Sequence, residues 1–274
     1  MSAYSNIEIS DPQYERDHLR HLTFKSPALK RRGDVTIFVP PGCEREKSLP
    51  VVVLLHGVYC SHWSWAMKGG AHLTALSLIE KELVRPLVLL MPSDGLWGDG
   101  SGYIAHASAD YERWVMEDVV GCGAEVIPHI DSQSPLFIAG LSMGGYGALR
   151  LGAKYAEKVT GFSGHSSITA LHQLAWFVEE PLTLYGGAVE SEGALLLYWM
   201  KRHRKSLPPF RFDCGTSDEL IEENRELHHA LVALNIPHQY FEYEGEHSWG
   251  YWREHIADTL IFFDGVCRSR EYMT

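Results

Sequence analysis

The stretch Gly140-Leu141-Ser142-Met143-Gly144 decides the fold, because it sets one serine between glycines that lie two positions to either side. An apolar run typical of a buried strand, residues 136–139 (LFIA), comes directly before it, and a helical run, ALRLGAKYA, follows. A serine on so sharp a turn takes a strained backbone conformation, and glycine neighbours prevent a clash there. An incidental serine in a glycine-rich turn is the alternative. The strand before and the helix after favour a nucleophile elbow, which presents the serine hydroxyl above the edge of a sheet.

The rest of the chain alternates short apolar runs with longer amphipathic ones. A continuous apolar run such as residues 51–55 (VVVLL) is expected of a strand buried on both faces. The predicted strands are residues 19–25, 35–39, 51–55, 87–91, 136–139, 159–163, 210–214 and 239–243. The predicted helices include residues 110–127, 217–234 and 249–263. This alternation predicts an α/β fold with a mostly parallel central sheet and helices on both faces. The first strands are expected to be antiparallel, because no helix separates them.

Residues 164–209 interrupt the alternation, because they separate two predicted strands by more than a plain crossover needs. They contain an apolar run, ALLLYWM, followed by the basic run Lys201-Arg202-His203-Arg204-Lys205. A solvated helix end explains the basic run better than a partner site does. We therefore expect a single domain over residues 1–274, with residues 164–209 as a helical, lid-like insertion over the carboxyl edge of the sheet.

A serine nucleophile needs a base, and the base needs an acid that orients it. In folds with this elbow the order along the chain is serine, acid, histidine. Asp218 lies at the tip of a turn, GTSD, that follows a predicted strand, so it is the candidate acid. Asp213 is the competitor, but it lies within the strand, where its side chain would point to a face of the sheet.

His247 is the candidate base among 15 histidines. It lies in the loop GEHSW between the last predicted strand and the last predicted helix, which is the position that the chain order requires. His238 precedes that strand, and His255 lies within the helix. His228 and His229 are adjacent on a helix and do not share a face, so they are a poor metal pair.

Acyl transfer also needs two N–H donors directed at the oxyanion that develops in the transition state. The amide of Met143, the residue after the nucleophile, is the first candidate. The second is the amide of Val58, in the loop after residues 51–55, where Gly57 permits a close turn. For His56-Gly57 alone, an ordinary turn at a strand end is the alternative.

Loops at the carboxyl ends of the strands are expected to line the substrate pocket. Trp176, in the insertion, is one aromatic candidate there, whereas Trp249 beside His247 is expected to pack the histidine loop. For any single ring, packing of its own loop is the alternative. The predicted substrate contacts are Trp63, Trp65, Trp97 and Tyr103.

Charge and composition exclude several classes of protein. The net charge of −11 argues against a nucleic-acid binder and gives no reason to expect binding to an anionic membrane. The five cysteines are odd in number and lack CxxC spacing, which argues against a disulfide framework and a zinc site. No apolar run reaches the length of a membrane span, so a cytoplasmic location is expected. No metal or organic cofactor is expected, and the oligomeric state stays open, a homo-oligomer included.

Several motifs, in the same order along the chain, resemble the esterase D / S-formylglutathione hydrolase-like branch of the α/β-hydrolases. They are LPVVVLLHG, MPSDG, GLSMGGYGA, GTSD and GEHSWGYW. The likeness runs from about residue 19 to residue 263 and implies the triad Ser142, Asp218 and His247, with Val58 and Met143 as oxyanion donors. The aromatic-rich residues 58–65 and the insertion depart from the family pattern. Because the branch includes acetyl, feruloyl and other carboxylesterases, S-formylglutathione hydrolases and, more remotely, acyltransferases, the resemblance does not specify a substrate.

These observations predict an enzyme that hydrolyses small acyl or aryl esters through a Ser-His-Asp triad and an acyl-enzyme, with a small-molecule ester as its partner. An acyltransferase, or a thioesterase similar to S-formylglutathione hydrolase, would use the same triad and is the alternative. A non-catalytic binding protein on a hydrolase fold is less favoured, because all three triad positions are occupied in order.

Overall fold

The computed structural model describes residues 4–188 and 191–271, and nine strands of these residues form one sheet. The strands are β1 (Ser5–Ile9), β2 (Leu19–Ser26), β3 (Arg31–Phe38), β4 (Val51–Leu55), β5 (Val88–Pro92), β6 (Leu136–Leu141), β7 (Gly161–His165), β8 (Phe210–Gly215) and β9 (Gln239–Tyr243). Their order across the sheet is β1-β2-β3-β5-β4-β6-β7-β8-β9. The pairs among β1, β2, β3 and β5 are antiparallel and all the others are parallel. The predicted mostly parallel α/β fold is therefore confirmed.

Two strand predictions need correction. The sequence pattern did not predict β1, because four of its five residues are exposed and it contains no apolar run. The predicted strand at residues 159–163 instead begins at Gly161 and continues to His165. This shift matters for the site, because it places His165 at the end of β7, next to Leu141 of β6.

Helices cover both faces of the sheet. They are α1 (Ser64–Met67), α2 (Ala71–Glu80), α3 (Tyr111–Arg113), α4 (Val120–Val126), α5 (Met143–Lys154), α6 (Leu196–Arg202), α7 (Ile221–Ala233) and α8 (Trp249–Glu271). A π-helical segment, Trp114–Val119, joins α3 to α4, so the predicted helix at residues 110–127 is not regular throughout. The helix predicted from residue 217 begins instead at Ile221, because residues 216–220 form turns, and α8 extends beyond residue 263.

Alternate residues of the central strands supply two hydrophobic cores. In β4, Val51, Val53 and Leu55 belong to the core that also holds residues of α5 and α7, whereas Val52 and Leu54 belong to the core under α2 and α8. All five side chains are at most 1% exposed. A strand buried in this way on both faces gives a rigid support for the loops at its carboxyl end.

The segment between β7 and β8 packs across two other parts of the chain. It contains short 3₁₀ helices at Leu171–Trp176, Leu182–Ala188 and Glu192–Ala194, followed by α6. The Tyr146 hydroxyl and the Arg150 guanidinium of α5 donate to the carbonyl oxygens of Ala194 and Gly193, at 2.6 and 2.7 Å. The Tyr185 hydroxyl donates to the carbonyl of Gly100, in the loop after β5, at 2.6 Å.

Within the described residues, the structure contains no helix whose length and hydropathy would allow it to cross a membrane.

Candidate active site

Ser142 lies on the sharp turn between β6 and α5. Its backbone has φ 54° and ψ −120°, in the left-handed region that side chains other than glycine rarely adopt. The turn leaves no space for a side chain at Gly144, where a Cβ atom would lie 2.3 Å from the carbonyl oxygen of Leu55. The Ser142 amide donates to the His165 carbonyl at 2.9 Å. Surrounding structure therefore maintains the strained turn that the sequence motif predicts.

The structure brings Ser142, His247 and Asp218 together from three separate loops. The Nε2 atom of His247 lies 3.1 Å from Ser142 Oγ, and its Nδ1 atom lies 3.0 Å from Asp218 Oδ2. A carboxylate only accepts hydrogen bonds, so Nδ1 carries a proton and the neutral ring has its lone pair on Nε2. This arrangement can move a proton from the serine hydroxyl to the imidazole.

Asp218 is buried at the start of the turn that precedes α7. Burial would raise the pKa of its carboxyl group, but the bond with His247 and a 2.8 Å bond from the Leu220 amide lower it more. The resulting pKa lies below the ordinary value of an aspartate, so the group is charged at neutral pH. A charged carboxylate at this place stabilises an imidazolium at His247.

Asp213, the competitor for the acid role, lies inside β8 and away from His247. Its carboxylate instead bonds His165 at 3.0 Å and accepts from the Tyr251 hydroxyl at 2.9 Å. Its side chain points to a face of the sheet, as expected for an aspartate within a strand.

The predicted oxyanion donors belong to the loop after β4 and to the first residue of α5. A Cβ atom at Gly57 would lie 3.3 Å from Ser142 Cβ and 3.7 Å from its Oγ, so the loop after β4 passes directly beside the serine. In the described chain, neither the Val58 amide nor the Met143 amide donates to another residue. Gly100 packs against the side chains of these two residues, since a Cβ atom there would meet Met143 Sδ and Val58 Cγ1. The loop that carries the Val58 amide therefore passes beside the residue whose neighbour carries the Met143 amide, as an oxyanion hole would require.

The structure corrects two of the predicted substrate contacts, Trp65 and Tyr103. Trp65 is 1% exposed and donates from Nε1 to the Leu55 carbonyl at 3.0 Å. Tyr103 is fully buried and donates from its hydroxyl to the His56 carbonyl at 3.0 Å. Both side chains are packed in the hydrophobic cores and bonded to the main chain, so they do not line the pocket. They hold the end of β4 and the start of the Val58 loop instead.

The other two aromatic candidates, Trp63 and Trp97, are partly exposed to solvent. Trp63 is 42% exposed at the start of α1. Trp97 is partly buried, and its ring packs 4.8 Å from that of Tyr185 and 4.4 Å from that of His106. Trp249 packs against Trp65 and Trp252, in line with the packing role expected for it.

Phe177 is a site residue that the sequence reasoning missed. It follows the first 3₁₀ helix of the insertion, and its ring stacks on His247 with 5.6 Å between ring centroids and 19° between planes. Trp252 contacts the same imidazole edge-on at 5.0 Å. The signal for Phe177 in the sequence is the aromatic pair Trp176-Phe177, of which only Trp176 was a pocket candidate. Trp176 is 53% exposed, and its ring contacts no other ring in the described chain.

The described residues contain no cluster of three or more histidine, cysteine, aspartate or glutamate side chains placed to hold a metal ion. His228 and His238 bond each other at 2.8 Å, and His255 stacks on Tyr243. At Ser142 itself, the described contacts are those of its Oγ atom with His247 and of His247 with Asp218.

Comparison with known families matches residues 26–263 to a family described as "Putative esterase". The chain belongs to this esterase family. Within the curated proteins, this esterase is similar to an acetyl esterase from Caldicellulosiruptor saccharolyticus, with 26% identity over 274 residues, 90% of this chain and 98% of that protein. It is a serine esterase with the α/β-hydrolase fold, similar to the esterase D / S-formylglutathione hydrolase branch.

Solved structures share the fold of the esterase. A ferulic acid esterase superposes with a TM-score of 0.80 at 23% identity, over 90% of this chain and 97% of that one. An S-formylglutathione hydrolase from Staphylococcus aureus superposes with a TM-score of 0.76 at 19% identity, over 93% of this chain and 99% of that one. Because proteins that share this fold are named for different substrates, the activity of this chain has to be argued from its own site.

Proposed function

We propose that this esterase hydrolyses small acyl or aryl carboxylic esters through a triad of Ser142, His247 and Asp218. The observation that carries the proposal is the continuous line of contacts from Ser142 Oγ to His247 Nε2, at 3.1 Å, and from His247 Nδ1 to Asp218, at 3.0 Å. These distances lie within the reach that proton transfer needs.

In the proposed first step, Ser142 Oγ attacks the ester carbonyl carbon while His247 Nε2 takes the hydroxyl proton. The tetrahedral oxyanion accepts hydrogen bonds from the Val58 and Met143 amides, which carry no competing bond in the described chain. The C–O bond to the alcohol then breaks, and the imidazolium returns its proton to the leaving oxygen. Ser142 is left as an acyl-enzyme.

In the second step, water gives a proton to His247 and attacks the acyl carbon. The Ser142–acyl bond then breaks, the imidazolium of His247 returns its proton to Ser142 Oγ, and the carboxylic acid leaves. Asp218 is charged throughout, in keeping with its lowered pKa, and stabilises the imidazolium twice in each turnover. No further group is needed to balance either step.

We also propose that the insertion, residues 164–209, forms a wall of the ester site. The stack of Phe177 on His247 supports this role, and so does the 3% exposure of Ser142. Substrate contacts by Trp63 and Trp97 belong to the same proposal, because both rings lie in loops at the carboxyl edge of the sheet.

The test compares the wild-type esterase with Ser142→Ala on p-nitrophenyl acetate and on longer p-nitrophenyl esters. We expect the substitution to lower kcat by at least about 10³-fold, because only the oxyanion donors and substrate binding remain. Labelling of wild type by a fluorophosphonate should occur at Ser142, and added alcohols should not divert the acyl group from water. Equal activity of the two proteins would contradict the nucleophile, whereas diversion to the alcohol would indicate an acyltransferase.

A further inference from the structure

Behind Ser142 lies a set of buried polar side chains that the ester chemistry does not use. Each of them is at most 4% exposed. Four come from β7 and β8 and two from α8, so the set lies where the sheet meets that helix. We call these residues the buried network: Ser163, His165, Arg211, Asp213, Tyr251 and Thr259.

His165 occupies the centre of the buried network and is bonded at both ring nitrogens. Its Nδ1 lies 3.0 Å from Asp213 Oδ1, and its Nε2 lies 3.0 Å from Thr259 Oγ1. The carboxylate only accepts, so Nδ1 donates to Asp213. The Thr259 hydroxyl also lies 2.8 Å from Ser163 Oγ, which extends the bonded line. With both nitrogens held, the ring has a single orientation.

Asp213 collects three donors without reaching solvent. Besides His165, the Tyr251 hydroxyl donates to it at 2.9 Å and Arg211 Nη2 at 3.1 Å. Burial alone would raise the pKa of Asp213, but these partners lower it below the ordinary aspartate value. A buried carboxylate with three donors holds its partners in place, because moving any of them would leave the charge without one of its hydrogen bonds.

The main chain of the buried network holds the nucleophile. The His165 carbonyl accepts from the Ser142 amide at 2.9 Å, and the Asp213 carbonyl accepts from the Ser166 amide at 2.8 Å. Ser142 has a positive φ of 54°, a conformation that persists only when its surroundings determine it. His165 thus accepts from the Ser142 amide through its carbonyl, while both nitrogens of its ring are held by hydrogen bonds.

Tyr251 connects the buried network to the loops of the other two triad residues. Its ring packs against Gly245, two positions before His247, where a Cβ atom would lie 2.7 Å from the ring. The Gly245 carbonyl accepts from the Ser217 amide, next to Asp218, at 2.8 Å. Through these bonds and the packing of Tyr251 on Gly245, the buried network therefore reaches all three loops that carry Ser142, Asp218 and His247.

We propose that the buried network is a positioning device for the triad, in which the Tyr251–Asp213–His165 bonds set the separation of Ser142 from His247. This inference rests on the proposed ester hydrolysis. Its members touch no substrate, so they are positioning residues. A displacement of the reacting atoms by a fraction of an ångström is costly in rate, since attack requires near-contact geometry.

Tyr251→Phe is the sharpest test, because it removes one hydroxyl and leaves the ring that packs against Gly245. Tyr155→Phe is the matched control. The Tyr155 hydroxyl donates to Glu112 at 2.6 Å, so the control also loses a hydrogen bond to a carboxylate, but Tyr155 lies at the end of α5 and outside the buried network. Thr259→Val is a second variant, because it removes the hydroxyl between His165 and Ser163 with little change in volume.

We expect Tyr251→Phe to lower kcat on p-nitrophenyl acetate about three- to tenfold, the effect of one hydrogen bond, with KM unchanged. The rate at which a neutral fluorophosphonate labels Ser142 should fall in parallel, and Thr259→Val should behave alike. Tyr155→Phe should keep the wild-type kcat even if its thermal midpoint falls as much as that of Tyr251→Phe. Wild-type kcat in Tyr251→Phe, or an equal loss of kcat in Tyr155→Phe, would overturn the positioning role. Wild-type protein that shows neither turnover nor labelling at Ser142 would overturn the proposed hydrolysis itself, and the inference with it.

Discussion

At the scale of single residues, Asp218 offers the clearest test of the triad. Asp218→Asn keeps the size of the side chain but removes the charge that holds His247 in the tautomer with a free Nε2. We expect kcat to fall on the order of 10⁴-fold. Glu219→Gln is the control, because Glu219 is an exposed neighbour of the same turn. A loss of less than tenfold in Asp218→Asn, measured with p-nitrophenyl acetate, would assign the acid to another residue.

The lowered pKa of Asp218 gives this residue a pH signature as well. Its carboxyl group loses its proton at a lower pH than an ordinary aspartate does. A decrease of kcat/KM between about pH 7 and pH 5 would therefore not report protonation of Asp218. We expect the Asp218→Asn variant to keep an acid limb in its residual activity, moved to lower pH because the imidazolium loses the charge that stabilises it, as measured across the same buffers. Disappearance of the limb in this variant would assign it to Asp218.

Phe177 should control the size of the ester that the site accepts. Phe177→Ala removes a ring that stacks on His247, which should open space beside the triad. We expect the ratio of kcat/KM for p-nitrophenyl octanoate to that for the acetate to rise about tenfold, the usual effect of one or two methylenes of pocket space. Trp176→Ala is the control, because the Trp176 ring is exposed and does not stack on His247. An unchanged ratio in Phe177→Ala would show that this ring does not limit the pocket.

Single residues also show where sequence reasoning is strong and where it stops. The elbow motif selected Ser142, and chain order then selected Asp218 and His247, because each follows a recognisable strand. Trp65 shows the limit, because it lies in α1 and not in a loop. Whether its ring points outward or into the core depends on partners that are distant in sequence, such as Trp249. Phe177 was missed for the same reason.

At the scale of elements, the elbow and α8 contain glycines with opposite requirements. Gly144→Ala would place a Cβ atom 2.3 Å from the main chain of β4, so we expect loss of activity and stability. Gly265→Ala, exposed in α8 with no atom within 4 Å of the added Cβ, should instead raise the free energy of unfolding by about 0.5–1 kcal/mol. Urea titration of both variants measures the difference. Similar effects in the two would contradict the steric account of the elbow.

Element boundaries follow local rules only in part. The predicted start of the last helix agrees with α8, which begins at Trp249. The start of α7 differed, because Asp218 accepts from the Leu220 amide and so occupies a turn before the helix. β1 was not predicted, because strands are recognised in a sequence by their apolar residues and an exposed edge strand does not need them.

At the scale of the whole molecule, alternation of strands and helices predicted the parallel sheet, since that pattern allows few topologies. The path of residues 164–209 could not be predicted in the same way. It depends on bonds such as Tyr185 to Gly100 and Arg150 to Gly193, which join residues about 40 or more positions apart and follow no period. The strand ends that carry Ser142, Asp218 and His247 are thus readable from sequence, whereas the path of the proposed wall of the site is not.

The stability of the whole fold should depend on pH through buried carboxylates such as Glu112. Its side chain is 7% exposed and pairs with Arg150 at 2.7 Å and with Lys154. Burial opposes ionisation, but these partners lower its pKa below the usual value of 4.5. The unfolded chain therefore binds this proton more readily. The stabilisation is complete above about pH 5 and is lost as the pH falls through the lowered folded value.

Glu112→Gln should therefore lower stability at pH 7 by on the order of 3 kcal/mol, because it leaves Arg150 buried without its charged partner. Thermal midpoints of variant and wild type should converge as the pH falls from about 5 towards 3, since protonation of Glu112 in the wild type removes the same charge. Glu117→Gln is the matched control, because it breaks an exposed pair with Arg113 and should cost at most about 1 kcal/mol. A gap between Glu112→Gln and wild type that stays constant down to the lowest pH would show that packing, and not charge, stabilises the fold at this residue.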